Sequence, residues 1–289
     1  MDKILVTGAN GHYGTGVLKA LINRGSAKEN IYAMVRNKVK AADLQSLGIH
    51  VVYGDYEDYD SLLKAFSGID KLLFVSSSEL KNRTLQHKLV VKAAKKAGVR
   101  HIHYTSQQHK SDHRDSPIYF IMRSHLATES AIVNSGMDFT ILRNAVYMDM
   151  LPEFLGENVA EHGIFLPAGQ GKIAFTLRSE MAETAAAILT SQGHKNKIYE
   201  IAGNSISFTE IAQQIAEIKG HNITYLSPEP KVFINAAVKK GVSSMLVKML
   251  AGFSQAALIG ELESQSSHME KILERKPSQV TGFLQQLYS

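Results

Sequence analysis

The 289-residue chain contains no cysteine. That excludes disulfide staples, thiolate metal sites and a cysteine nucleophile, and a reducing, cytoplasmic setting suits it best. No run of about 18 apolar residues is present, so no membrane partner or membrane-spanning helix is expected. Met1-Asp2-Lys3 leads straight into Ile4-Leu5-Val6-Thr7 and then into glycines, without the apolar stretch and cleavage pattern of a secretory leader. The net charge is +5, yet the 32 Lys and Arg residues are scattered and form no five-residue basic run. With no helix-turn-helix or basic stripe, nucleic acid is not an expected partner. The surplus charge reads as solubility plus attraction for an anionic ligand. No Gly-x-x-x-x-Gly-Lys-Ser/Thr sequence occurs, so a P-loop nucleotidase is unsupported.

What is present is ordinary globular composition, 44% hydrophobic and 20% charged, which argues against disorder. A chain this long buries a sizeable core without a metal or disulfide staple. Short apolar runs at residues 3–7, 30–35, 49–53, 71–75, 100–104, 138–142 and 197–202 read as strands. Several are continuously apolar, as parallel strands covered on both faces must be. Helical patterns fall between them, at 13–24, 38–47, 59–66, 84–97, 124–135 and 179–191, most followed by a glycine. The alternation predicts an α/β fold with right-handed crossovers and a doubly wound, mostly parallel Rossmann sheet. After about residue 203 the pattern becomes mainly helical, with a capping box at Ser207-Phe208-Thr209-Glu210, one short strand at 222–226 and a break at Ser227-Pro228-Glu229-Pro230. The expected division is a dinucleotide-binding domain of residues 1–150 and 178–203, with a smaller substrate-side lobe of 151–177 and 204–289.

The strongest motif is Val6-Thr7-Gly8-Ala9-Asn10-Gly11-His12-Tyr13-Gly14, which follows the first strand and opens the first helix. Gly8 permits a tight turn, Gly11 lets backbone approach a pyrophosphate, and Gly14 lets helix and strand pack closely. Free N–H groups and the helix dipole favour anionic phosphates there. In NAD-binding relatives of this motif an acidic residue follows about 20 positions on. Here Arg36 stands in that place, followed by Asn37, Lys38 and Lys40. A guanidinium can bind a 2′-phosphate bidentately, which favours NADP(H) as cofactor. Asp55, after the third strand, either accepts from the adenine amino group or serves a turn.

Taken together, TGANGHYG, MVRN, YGDY, KLLFVSSSE, HYTS, SHLATE and LRNAVY resemble the NmrA-like group of atypical short-chain dehydrogenase/reductases. The resemblance is nearest to its quinone oxidoreductase and triphenylmethane dye reductase branch. It covers most of the chain to about Ala202 and continues more weakly beyond. It implies strand order 3-2-1-4-5-6-7, with NADPH across the carboxyl ends of the strands. It places pyrophosphate contacts at Gly8, Asn10, Gly11, His12 and Tyr13, and the 2′-phosphate at Arg36. It sets Ser76 and Ser77 along the cofactor, and Thr105 and Ser106 near the nicotinamide.

Ordinary short-chain dehydrogenases protonate a carbonyl oxygen with Tyr-x-x-x-Lys, and this chain has no such pair. The resemblance aligns His125 with the lysine, and Ile121 stands where the tyrosine would be. A quinone or a triarylmethyl cation needs no enzymic proton, so either acceptor suits a site that supplies mainly proximity and orientation. His125 is expected to hold the nicotinamide ribose or a substrate oxygen, with Glu129 one turn later orienting it; the alternative is a helix histidine with an ordinary helical partner. Asn144 and Tyr147 are placed in the nicotinamide and substrate pocket by the resemblance; turn chemistry and core packing are their plain alternatives. Met148, Met150, Leu151 and Phe154 could wall a flat aromatic acceptor or simply pack a core. His109-x-x-x-His113 has metal-like spacing only on a helix, yet it lies in a Ser/Asp-rich stretch, so no metal is expected. Residues 107–117 read as a lid. The leading function is an NADPH-dependent reductase acting on a small aromatic or quinone-like acceptor. The rival is a non-catalytic NAD(P)-binding redox sensor of the NmrA type. The oligomeric state is left open, a homodimer included.

Overall fold

The computed structural model describes residues 2–37, 41–110 and 112–289. Along the chain, β1 (Ile4–Val6) runs into α1 (His12–Asn23), and β2 (Ile31–Val35) into α2 (Ala42–Gln45). Then β3 (His50–Tyr53) precedes α3 (Tyr59–Phe66), β4 (Lys71–Phe74) precedes α4 (Arg83–Ala97), and β5 (His101–Gln107) precedes α5 (Tyr119–Val133). After β6 (Asp138–Asn144) come α6 (Leu151–Leu155), α7 (Val159–His162) and the two-residue strands β7 (Ile164–Phe165) and β8 (Lys172–Ile173). The chain returns through α8 (Arg178–Thr190) and β9 (Lys197–Ile201). It closes with β10 (Ile206–Ser207), α9 (Phe208–Lys219), β11 (Tyr225–Leu226), α10 (Pro230–Lys239), α11 (Ser244–Leu258), α12 (His268–Leu273) and α13 (Val280–Tyr288). Part of the helix expected over 38–47, with Lys38 and Lys40, lies outside the described residues, as does Ser111 in the expected lid.

Among the described residues, seven strands form one sheet in the order β3-β2-β1-β4-β5-β6-β9, and every pairing in it is parallel. This is the doubly wound Rossmann arrangement the alternation predicted. Side-chain alternation divides each strand between two cores. Ile4, Val6, Ile31, Ala33, Val35 and Leu73 join α1 and α8 on one face. Leu5, Met34, Leu72 and Phe74 join α3, α4 and α5 on the other. With apolar partners on both sides, inner strands carry unbroken apolar runs. A third core gathers Phe154, Phe175, Phe208 and Phe253 from chain segments on either side of α8 and β9. It forms the smaller, mainly helical lobe.

The capping box is present: Ser207 Oγ accepts from the Glu210 N–H (3.2 Å), and Glu210 Oε2 accepts from the Ser207 N–H (2.8 Å). Pro230 opens α10 at a position where its missing N–H costs no helix bond. The short strand foreseen near 222–226 is β11, paired with β7. The β10–β8 pair went unforeseen, because two residues carry no readable period. Among the described residues, no helix is long and apolar enough to cross a membrane.

Strand order reverses at β1, which has β2 on one side and β4 on the other. Connections leave that point in opposite directions and open a crevice at the carboxyl ends of the strands.

Candidate active site

The glycine loop lies at the mouth of this crevice. Gly8 has φ +58°, and the Gly11 N–H closes a tight turn onto the Gly8 carbonyl at 2.9 Å. A Cβ on Gly14 would land on the Gly8 carbonyl oxygen and sit 2.9 Å from its carbon and 3.0 Å from Ala9 Cα. Only glycine lets α1 start this close to the turn. Thr15 Oγ1 braces the loop by donating to the Ala9 carbonyl at 2.7 Å. The helix begins at Gly11 with no side-chain cap and no acidic residue in its first turn. Its first N–H groups therefore lack a side-chain partner and carry the positive dipole end, which fits a diphosphate. Asn10, Gly11 and His12 are exposed on the crevice. The Tyr13 side chain is not: it is buried, and its hydroxyl donates to the Met181 carbonyl at 3.3 Å. Only the Tyr13 main chain can face a phosphate.

Thr7 ties the strand ends together. Its hydroxyl pairs with Tyr56 and accepts the Val75 N–H at 2.9 Å, while the Tyr56 hydroxyl donates to the Val75 carbonyl at 2.7 Å. Arg36 stands exposed at the end of β2 and makes no hydrogen bond or ion pair with the described residues. Asp55 is half-buried and accepts the Glu57 N–H at 3.1 Å, a turn contact. Asp58, not Asp55, caps α3.

Beyond β4, the Ser76 N–H donates to Thr105 Oγ1 at 2.8 Å, and the Ser77 N–H donates to His87 Nε2 at 3.1 Å. His87 then donates from Nδ1 to Thr128 Oγ1 at 2.8 Å. Ser106 Oγ turns inward and donates to Glu129 Oε1 at 2.6 Å. Thus Ser76, Ser77 and Thr105 meet at one strand end, while the Ser106 hydroxyl is committed to α5.

His125 is buried. Arg83 Nη1 donates to its Nε2 at 3.0 Å, and its Nδ1 lies 2.8 Å from the Tyr104 hydroxyl. A guanidinium cannot accept, so Nε2 is the bare nitrogen and Nδ1 carries the proton. Burial, reinforced by the Arg83 cation, holds the ring neutral and its pKa well below the usual histidine range. The same two causes push His87 down to about 3. His125 therefore has no free nitrogen to offer a ribose or substrate oxygen, contrary to the expected direct contact. Nor does Glu129 orient it: Arg143 forks onto Glu129 at 3.2 and 2.7 Å. The fork on β6 offers two charged donors to a buried carboxylate, and a neutral imidazole cannot compete with that. Ile121, at the tyrosine position of ordinary short-chain dehydrogenases, is buried in the apolar third core.

At the end of β6 the buried Asn144 amide lies within hydrogen-bonding influence of the Tyr13 and Tyr147 hydroxyls, and its oxygen and nitrogen have no other partner. Gln107, its register partner on β5, has a buried Nε2 with no hydrogen-bond partner, and the same holds for Arg83 Nε. Each such group costs about 1–3 kcal/mol when left unmet. Asn144 and Gln107 at neighbouring strand ends, with Arg83 at the start of α4, fit a polar ligand such as a nicotinamide and its ribose. Tyr147 is half-buried under the Arg178 guanidinium, 4.7 Å from the ring centre. Of the expected apolar wall, Met148, Leu151 and Phe154 are fully committed to the third core, and only Met150 is partly open. The expected lid is pinned at both ends, by Gln108 to Glu200 (2.9 Å) and Ser116 to Glu261 (2.7 Å). Among the described residues no cluster of three metal-binding side chains occurs.

Sequence reasoning missed Arg83, His87, Tyr104 and Gln107. Their spacing carries no motif, and only the fold brings them together.

A glycine turn leading into an uncapped helix at the reversal point of a parallel sheet is the dinucleotide-binding arrangement of Rossmann folds, and this chain is a Rossmann-type dinucleotide-binding protein. Its family is equally plain. The NmrA-like family model matches residues 1–284, and the chain belongs to that family, as the sequence resemblance indicated. Quinone oxidoreductase 2 of Escherichia coli strain K12 is 36% identical over 274 residues, covering 93% of each chain. The NAD(P)H azoreductase of Xenophilus azovorans is 29% identical, over 78% of this chain and 76% of its own. Among solved structures, Citrobacter sp. triphenylmethane reductase complexed with NADP(H) superposes with a TM-score of 0.90 at 34% identity, covering 98% of this chain and 99% of that one.

Proposed function

We propose that this chain transfers hydride from NADPH to a quinone or a similar planar electrophile, such as a triarylmethane dye, without an enzymic proton donor. The chain is an NAD(P)H-dependent oxidoreductase of the NmrA-like family, and its similarity to quinone and dye reductases supports the acceptor class. The observation that carries the reading is the pairing of buried Ile121 with His125, whose nitrogens are both engaged. No Tyr-x-x-x-Lys pair stands ready to protonate an alkoxide, which favours an acceptor that needs no such proton.

NADPH, when bound, supplies the hydride. The backbone from Gly8 to Gly14 holds its pyrophosphate, and the exposed Arg36 guanidinium takes the 2′-phosphate. Asp55 faces the adenine end. Ser76, Ser77 and Thr105 line the strand ends beneath the nicotinamide, Ser106 supports them from behind through Glu129, and the buried Asn144 amide orients the ring. Tyr147 borders the acceptor. His125 acts through Arg83 and Tyr104, fixing both side chains. A quinone that gains hydride becomes a hydroquinone anion, which water protonates. A triarylmethyl cation becomes neutral and requires no proton. Residues 151–177 and 204–289 supply the substrate-side wall, and residues 1–150 with 178–203 the cofactor side. A homodimer and a cytoplasmic location are compatible with this role.

The test is a screen of benzoquinones and triarylmethyl dyes with NADPH and with NADH, read as loss of reduced-nicotinamide absorbance. Acceptor-dependent oxidation is expected, faster with NADPH. Saturable NADPH binding with no oxidation by any acceptor would instead favour a redox sensor.

A further inference from the structure

Arg83, the first residue of α4, is 6% exposed, and no ion pair neutralises it among the described residues. The half-buried guanidinium of Arg143, by contrast, is paired with Glu129. Carboxylates near the start of α4 are otherwise engaged: Glu57 and Glu79 both accept from Gln86 Nε2, at 3.1 and 2.7 Å. The contacts of Arg83 are neutral acceptors reached from Nη1 alone, His125 Nε2 at 3.0 Å and Ser124 Oγ at 3.4 Å, and its Nε is buried with no partner. Burial disfavours its charge, and its electrostatic neighbours are the Tyr104 and Tyr147 hydroxyls. Burying a cation without a counter-ion is expensive, and such groups are retained where they meet an anion. Arg83 opens α4, the helix that follows β4, and Tyr147 follows β6, so this unneutralised charge sits at the carboxyl ends of the strands, on the nicotinamide side of the crevice.

We propose that Arg83 is a catalytic residue that receives the negative charge appearing on the acceptor oxygen during reduction. The proposal rests on the hydride-transfer reading above. As hydride bonds to the quinone, its two electrons enter the ring system and one carbonyl π pair moves onto oxygen. NADPH leaves as NADP+, the hydroquinone oxyanion faces the guanidinium, and solvent later supplies the proton. His125 holds the fork in place through its bare Nε2, and the Tyr104 hydroxyl fixes the imidazole. A preset donor aimed at developing charge is the usual source of such rate enhancement. For a triarylmethyl cation the same guanidinium has the opposite effect, because positive charge is being removed and no oxyanion forms. Arg83 thus sets specificity between neutral and cationic acceptors.

The test compares Arg83→Gln and Arg83→Lys with the unaltered protein. Arg83→Gln should lower kcat/KM for benzoquinone about 100-fold, in the range seen when one oxyanion donor is removed. It should leave reduction of a triarylmethyl cation unchanged or faster, and Arg83→Lys should recover most of the quinone rate. A second readout needs no turnover. 4-Nitrophenol bound to the protein should ionise at lower pH than free nitrophenol, by its visible spectrum, and Arg83→Gln should abolish that shift. Equal losses with both acceptors, or no spectral shift in the unaltered protein, would overturn the proposal. If the unaltered protein reduces no acceptor, the hydride-transfer reading fails, while the nitrophenol titration still decides whether Arg83 receives an anion.

Discussion

Lowering the pH from about 6.5 to about 5.5 should cost this protein about 4 kcal/mol of folding stability. The perturbation acts on His87, His101, His103 and His125, all of them buried. Burial is the largest cause in each case: His87 is pushed down to about 3, His101 to about 4, and His103 and His125 well below the usual range. The geometry agrees, since a second proton on His87 Nε2 would meet the Ser77 N–H, and one on His125 Nε2 would meet Arg83. In the unfolded chain each histidine titrates near 6.5. As pH falls through that value the unfolded state takes up protons that the folded state refuses. The stability is therefore complete above pH 6.5 and is lost on the way down to the folded values. Each ring contributes about 1 kcal/mol over the first pH unit below 6.5, and four rings contribute about 4. Against a total of about 5–15 kcal/mol this is a large fraction. Asp2 and Glu210, whose pKa values lie below the usual carboxylate values, lose their contributions only in more acid solution. Urea unfolding followed by circular dichroism at about pH 7.5, 6.5 and 5.5 would measure the slope. His87→Gln should remove about a quarter of it. A midpoint that stays level between pH 7.5 and 5.5 would refute the reasoning.

Other substitutions probe the crevice. Gly14→Ala places a methyl against the Gly8 and Ala9 backbone, so NADPH affinity should fall about tenfold or more, equivalent to about 1.4 kcal/mol; an unchanged Kd by calorimetry would contradict the close-approach argument. Arg36→Ala should weaken NADPH binding about tenfold to a hundredfold while leaving NADH unaffected, and equal effects on both nucleotides would remove the 2′-phosphate assignment. Glu129→Gln strands the half-buried Arg143 and frees Ser106; thermal unfolding should report a loss of about 2 kcal/mol, with no change if the pair is merely superficial.

The main sheet was legible because its information is local. Continuous apolar runs, glycines after helices and the loop from Gly8 to Gly14 each express a short-range rule, and the strands foreseen lie within a few residues of those observed. α5 begins at Tyr119, earlier than its apolar pattern suggested, because Ile121 and Met122 bury against the lobe rather than the sheet. The loop geometry was readable for the same local reason. The nicotinamide end was not. Glu129 sits one turn from His125, so a helical neighbour was the natural guess, but its partner Arg143 comes from an adjacent strand. Arg83 belongs to no sequence motif, and only the packing of α4 on α5 and β5 reveals that its charge is enclosed.

The third core has a consequence for biosynthesis. Phe154 and Phe175 leave the ribosome well before Phe208 and Phe253, the rings they pack against. The complete parallel sheet can assemble once residue 201 has emerged, since every strand in it has then been made. Until the final segment follows, the nascent chain carries the complete sheet, still without Met269, Ile272 and Leu273 of α12 on its α8 face, beside an open aromatic face. A stalled or truncated product ending near residue 203 would be a preferred client for holdase chaperones, and a sticky one in their absence.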